Sequence, residues 1–292
     1  MVINLSKTQL GILESLSIRW YDFLSISEIS IFSKVPESSI YRSIKTLKEK
    51  NIIIESDARY KINFSNDIGW AIKKLVDAYR LNNLPHDIKN RIINIREKAS
   101  LFFGNDIKML FVFGSSASLE LKEESDIDFL IVLSKKNKEN FLKFLTTDDR
   151  NFNFIEYDIK EFNDAYDDGD DFLISVLKNH ILLQGDYYLR FDLERGLPAV
   201  SKKVIHDREI QLNNLKIKID ELFFQDQPIV CDKIKEYIKL KVRIMLMKKD
   251  IIPLSNKNLF DLMKQYYLKY YRAYNNLNMK DAANIYTDLE RS

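Results

Sequence analysis

The sequence predicts an α+β fold in three parts: an N-terminal helical unit carrying a β-hairpin, a central sheet flanked by helices, and a C-terminal helical domain. Three observations carry this expectation. Two short apolar runs bounded by Gly and polar clusters, Leu110 to Phe113 and Phe129 to Leu133, suit buried strands in mid-chain. Apolar residues recur at helical spacing through the C-terminal third. Chain breakers are scarce, with 7 Gly and 5 Pro in 292 residues, which favours helices joined by short loops.

Composition bounds the partners. A chain of 292 residues is long enough for two or three domains, each with its own core. A net charge of +2 demands neither nucleic acid nor an acidic membrane. With 30% charged and 46% hydrophobic residues, the chain reads as folded rather than disordered. No run approaches the roughly 18 uninterrupted apolar residues of a membrane span, and the opening MVINLSKTQL lacks a signal-peptide core. A soluble, cytoplasmic protein with no membrane partner is expected. Cys231 is the sole cysteine, which excludes an internal disulfide and a Cys-cluster metal site.

Residues 1–65 form the first expected domain. Thr8 to Leu16 can form a helix with Leu10, Leu13 and Leu16 on one face. Ser27 to Ser33 reads as a second helix with Ile29 and Phe32 inward, and Pro36 stops it by disfavouring a helical Val35. Ser38 or Ser39 can cap a third helix to about Lys50, whose Ile40, Ile44 and Leu47 make one apolar stripe. Ile52 to Glu55 and Tyr60 to Phe64 alternate like strands around Ser56-Asp57-Ala58-Arg59. The whole resembles the winged helix-turn-helix domains of bacterial and archaeal regulators. That resemblance implies DNA contacts from Ser39, Tyr41, Arg42, Lys45 and Lys48 on the third helix and Arg59 in the wing. The same fold can instead serve as a docking or dimerisation module, and a homodimer is one expectation.

Residues 66–104 supply two connecting helices. Ile72, Leu75, Val76 and Tyr79 recur at helical spacing, Pro85 interrupts, and Ile88, Ile92, Ile95 and Ala99 lead to Phe103. No Gly/Ser-rich tether separates the parts.

Residues 105–195 carry the chemistry. The apolar run to Phe113 ends in Gly114-Ser115, ten residues (116–125) follow, and Asp126-Ile127-Asp128 enters the next apolar run. Residues two apart in a strand share a face, so the two carboxylates would project together. Such a pair repels unless a cation lies between, and hard oxygen ligands suit Mg²⁺ (or Mn²⁺) bound with substrate phosphates. Gly114 allows close approach of backbone N–H groups to a phosphate, with the Ser115 hydroxyl beside them.

This pattern resembles the nucleotidyltransferase superfamily that includes DNA polymerase β, with Ser125 completing its Ser-Asp-hydrophobic-Asp form. The resemblance implies a mixed sheet flanked by helices. It also implies metal binding by Asp126 and Asp128, and nucleotide binding by Gly114, Ser115 and Ser125. Two departures stand out. Asn153 occupies the position of the family's third acid on the strand Phe152 to Tyr157; Glu156 is the preferred substitute, reachable only if a bulge shifts the register. The turn reads Gly114-Ser115-Ser116-Ala117-Ser118-Leu119 where many small members have Gly-Ser-x-Ala-Arg-Gly. Phe172 to Gly185 matches the helix and short strand that close such a domain, with His180 structural rather than catalytic.

Residues 196–292 read as helices over Val204 to Phe224, Ile229 to Lys249 and Asn258 to Asn276. The stripe Tyr267, Tyr270, Tyr271, Tyr274 is the kind more often found in a core than in a base-stacking platform. The expected function is Mg-dependent transfer of a nucleoside monophosphate from an NTP to a hydroxyl acceptor on a protein, RNA or small molecule, coupled to DNA binding. The alternative is a DNA-binding transcriptional regulator whose catalytically weak transferase domain senses nucleotide.

Overall fold

The computed structural model describes residues 5–117, 126–136, 139, 144, 152–185, 196–224, 229–253 and 256–290. These fall into two units: residues 1–164 with 176–197, and residues 165–175 with 198–292.

The first unit opens with helices α1 (Lys7–Ile18), α2 (Ile26–Ser33) and α3 (Glu37–Glu49). Ser6 and Ser25 cap the first two through reciprocal bonds with Gln9 and Glu28, which supply orphan helix-end groups with partners. The third helix starts at Glu37, earlier than a Ser38 or Ser39 cap would place it. The Pro36 carbonyl already accepts from Ser39 and Ile40, and proline brings its φ preset. Ile40, Ile44 and Leu47 are buried, as the spacing predicts, and so are Ile12, Leu13 and Leu16 of α1 and Ile29 of α2. Phe32 does not join them; it stays 45% exposed, with the Arg19 guanidinium 4.8 Å above its ring.

Strands β1 (Ile53–Ser56) and β2 (Arg59–Ile62) pair antiparallel across Asp57-Ala58. Both turn residues have positive φ, 51° and 58°, the two-residue geometry whose twist matches a hairpin. A bridge from Tyr60 to Leu24 ties the hairpin to the chain after α1.

Helix α4 (Asp67–Asn82) departs from its apolar pattern. Leu75 and Tyr79 are exposed, and the buried stripe runs through Trp70, Lys73, Val76, Asp77 and Arg80. Polar side chains occupy this face because they satisfy one another: Lys73 Nζ lies 2.7 and 2.6 Å from the two Asp77 oxygens, both residues being 1% exposed.

Helix α5 (His86–Phe103) covers one face of a four-stranded sheet of order β5-β4-β3-β6. The strands are β3 (Ile107–Phe113), β4 (Ile127–Leu133), β5 (Phe152–Asp158) and β6 (His180–Gln184). β3 runs antiparallel to β4 and β6, while β4 and β5 are parallel. Ile92, Ile95, Ala99 and Phe103 of α5 pack on Leu110, Val112, Ile127, Phe129, Ile131 and Leu133. Alternation then places Phe111, Phe113, Asp128, Leu130 and Val132 on the opposite face. That face holds the site.

In the second unit, α8 (Lys202–Phe224), α9 (Val230–Met247), α10 (Asn256–Tyr266), α11 (Leu268–Asn276) and α12 (Ala282–Glu290) share a core that includes Ile219, Ile238, Leu246, Met263 and Tyr286. The helix expected over 258–276 is broken at Tyr267, whose φ −140° and ψ 54° leave the helical region. Tyr270 is buried, and Tyr267, Tyr271 and Tyr274 pack against the same core, so the stripe is a packing feature. Between the sheet strands β5 and β6 in the chain lie α6 (Ile159–Asp168) and α7 (Asp171–Lys178), and each spans a boundary of the two units. Among the described residues no helix is long and apolar enough to cross a membrane.

Candidate active site

The site is assembled by the turn leaving β3 and the strand entering β4. Phe113 pairs with Asp128, so the chain turns at Gly114 directly beside the second aspartate. Gly114 has φ 69°, a left-handed conformation that L side chains rarely adopt. A Cβ built on it would lie 2.6 Å from Asp128 Oδ2. Glycine suits the backbone angle, and a side chain at this position would also push the Asp128 carboxylate aside. Gly114→Ala is expected to lower turnover by at least about 10²-fold, because a displacement of about 1 Å at a reacting group has that effect. Its stability should fall by only about 1–2 kcal/mol, the strain of one residue in that region. Turnover and thermal melts of the variant check both values.

Asp126 sits immediately before β4 and is exposed, whereas Asp128 lies within the strand and is half-buried. Burial raises the Asp128 carboxyl above its ordinary range, the Asn153 hydrogen bond lowers it, and the charge of Asp126 raises it again. Asn153 Nδ2 donates to Asp128 Oδ1 at 3.1 Å, and the two residues are direct partners in the β4–β5 ladder. A neutral amide thus stands beside Asp128 and holds the orientation of its carboxylate. Glu156 is not brought to the site. The ladder runs in unbroken register from Ile127↔Phe152 to Leu133↔Asp158, which sets Glu156 opposite Ile131 on the α5 side. There one of its carboxyl oxygens is buried without a hydrogen-bond partner, and burial raises its pKa.

Ser115 and Ser116 follow in the turn, Ser115 half-buried and Ser116 fully buried with no hydrogen-bond partner for its hydroxyl. Ser125 lies outside the described residues. The donor set fits a hard divalent cation, two carboxylates at the end of one strand beside a glycine turn that keeps side-chain bulk away from Asp128 Oδ2. Among the described residues no cluster of three or more His, Cys, Asp or Glu forms, at this site or elsewhere, so the protein side offers two carboxylates.

His180 is structural. It is 2% exposed, its ring lies 4.9 Å from Phe111, and its Nδ1–H donates to the Leu177 carbonyl at 3.0 Å. Burial, with Lys73 and Arg80 adding their positive charge, pushes its pKa well below the usual histidine value. The unfolded chain therefore binds a proton that the folded chain refuses. Stability is complete above about pH 6.5 and should fall by about 1.4 kcal/mol per pH unit below it. Urea unfolding between pH 6.5 and 5 checks this, and His180→Phe should remove that part of the slope.

The residues expected to contact DNA lie on α3 and the hairpin, apart from the aspartates. Tyr41 (61% exposed), Arg42 and Lys45 are exposed on α3, and Ser39 is half-buried. Lys48 is engaged by Glu55, and Arg59 donates to the Phe23 carbonyl at 2.8 Å and to Glu28 at 3.0 Å. These last two cations are thus paired within the unit while staying partly exposed.

Pattern reading missed the buried set Lys73, Asp77 and Arg80. Its signal was present: Lys-x-x-x-Asp and Asp-x-x-Arg put three charges on one helical face.

Residues 97–188 match the family described as polymerase beta, nucleotidyltransferase. A spectinomycin adenyltransferase from Enterococcus faecialis, solved with ATP and spectinomycin, is similar to the chain at 17% identity. The match covers 68% of this chain and 96% of that one, with a TM-score of 0.41. No curated protein matches the chain. By the family match, residues 97–188 carry a nucleotidyltransferase domain of the polymerase β superfamily, which supports transfer of a nucleoside monophosphate from a nucleoside triphosphate.

Proposed function

We propose that this protein is a metal-dependent nucleotidyltransferase acting on a hydroxyl acceptor, with residues 1–65 serving as a winged helix-turn-helix DNA-binding domain. Residues 66–104 would connect it to the transferase core at 105–195, and residues 196–292 would form a separate helical domain. The single observation that carries the enzymatic reading is the close approach of Gly114 to Asp128 Oδ2. A glycine at this angle lets the turn and the Asp128 carboxylate lie side by side, which supports one built site.

Asp126 and Asp128 would hold Mg²⁺ (or Mn²⁺), which neutralises the triphosphate and lowers the charge barrier to attack. The turn at Gly114 and Ser115 binds the phosphates through N–H and hydroxyl donors. Asn153 fixes the Asp128 carboxylate through Oδ1, leaving Oδ2 beside the turn. An amide takes no proton, so position 153 does not deprotonate the attacking hydroxyl. Phosphoryl and nucleotidyl transfer through a loose transition state rest mainly on positioning and charge, which this site supplies.

The DNA-binding part is supported by three helices followed by a hairpin and by exposed Tyr41, Arg42 and Lys45 on the third helix. A second reading is a nucleotide-sensing regulator without turnover, and one observation favours it: Asn153 faces Asp128 where an acid would assist chemistry. Incubation with each α-labelled NTP, Mg²⁺ or Mn²⁺ and native lysate separates the two. Label on a protein, RNA or small molecule supports the transferase; none, with NTP binding intact, supports the sensor.

A further inference from the structure

We infer that Arg80, on a helix outside the residues matched by the family, is the positioning residue that sets the phosphate-binding turn. This rests on the transferase reading above for its function, though not for its geometry. Arg80 is 2% exposed on α4. Its Nη1 donates to the His180 carbonyl at 2.7 Å. Its Nη2 donates to the Ala117 carbonyl and, at 2.9 Å, to Asn179 Oδ1. Those acceptors bracket the turn. Ala117 closes the segment that Gly114 opens, and His180 is the cross-strand partner of Phe113, the residue before Gly114.

One planar group therefore binds the chain just past the turn and the strand paired with the chain just before it. The row His180, Phe113, Asp128, Asn153 crosses all four strands at that level, so the same anchor reaches the aspartate. A guanidinium suits the task because its N–H groups diverge in a fixed plane, and a lysine offers only a point charge. Asp77 supports the charge from 3.7 Å one turn earlier, and its Oδ2 also accepts from the Leu182 N–H at 3.3 Å. Arg80 touches no reacting atom; it acts through the turn.

The test is amide hydrogen exchange of the full-length protein without nucleotide, followed by turnover with Mg-NTP. In Arg80→Lys the turn 114–117 should exchange about tenfold faster while β4 stays protected, since only local opening is eased. The KM for NTP should rise about tenfold with kcat falling less than threefold, as expected when substrate binding is chiefly affected. Asn179→Ala removes one acceptor and should speed exchange of the turn about threefold, so it decides the matter if Arg80→Lys does not fold. Unchanged exchange of the turn in the folded variants overturns the assignment. Faster exchange in a variant, with no nucleotide binding by the wild type, upholds the positioning and refutes the transferase reading instead.

Discussion

Changing Asp126 and Asp128 together to asparagine is expected to lower nucleotidyl transfer by about 10³-fold or more, the scale of losing preorganised charge stabilisation at a transferring phosphate. The fold should survive. Asp128 carries a charge that burial and Asp126 both disfavour, and the Asn153 amide lies beside it whichever group occupies position 128. Removing two repelling carboxylates should leave the melting temperature equal or about 1–3 °C higher, as at other sites that trade stability for activity. Activity assays and melts on the same samples check the pair of outcomes. A large fall in melting temperature would mean that the carboxylates are structural.

The second large effect falls on stability. Asp77→Ala leaves Lys73 buried without its partner and takes from Arg80 its nearby carboxylate. Breaking one side of a buried pair costs about 3–5 kcal/mol, because the remaining charge stays desolvated. Burial already holds the Lys73 ammonium below its ordinary range, and Asp77 pulls it back up. A melting temperature lower by about 6–20 °C follows for a chain of this size. Replacing both partners, Lys73→Met with Asp77→Leu, should recover part of the loss, since no uncompensated lysine then remains. Thermal and urea unfolding of the single and double variants measure the difference.

Much of the candidate site's geometry was legible in the sequence because its residues are local. Gly114-Ser115 and Asp126-Ile127-Asp128 each occupy a few consecutive residues at the ends of adjacent strands, and apolar runs mark those strands. Position 153 was legible for the same reason, since strand alternation alone separates Asn153 from Glu156. Whether a bulge intervened was a matter of pairing between strands, and the unbroken ladder answers it. Helix α4 was misread because pattern analysis equates a buried face with an apolar one. Its true inner face carries Lys73, Asp77 and Arg80, whose burial depends on His180, Ala117 and Leu182 far along the chain. The pairs Lys48–Glu55 and Arg59–Glu28 were not legible either, because their members lie close only after the hairpin folds. Tyr267 breaks its helix with no Gly or Pro to mark the place.

The proposed metal–nucleotide site is tested most directly by calorimetric titration of the wild type and the Asp126→Asn/Asp128→Asn variant with each NTP, in Mg²⁺ and in EDTA. Saturable binding by the wild type that requires Mg²⁺ and disappears in a folded double variant is the predicted result. Equal binding by both proteins, or none by the wild type with any NTP, would contradict a metal–nucleotide site at Gly114, Asp126 and Asp128.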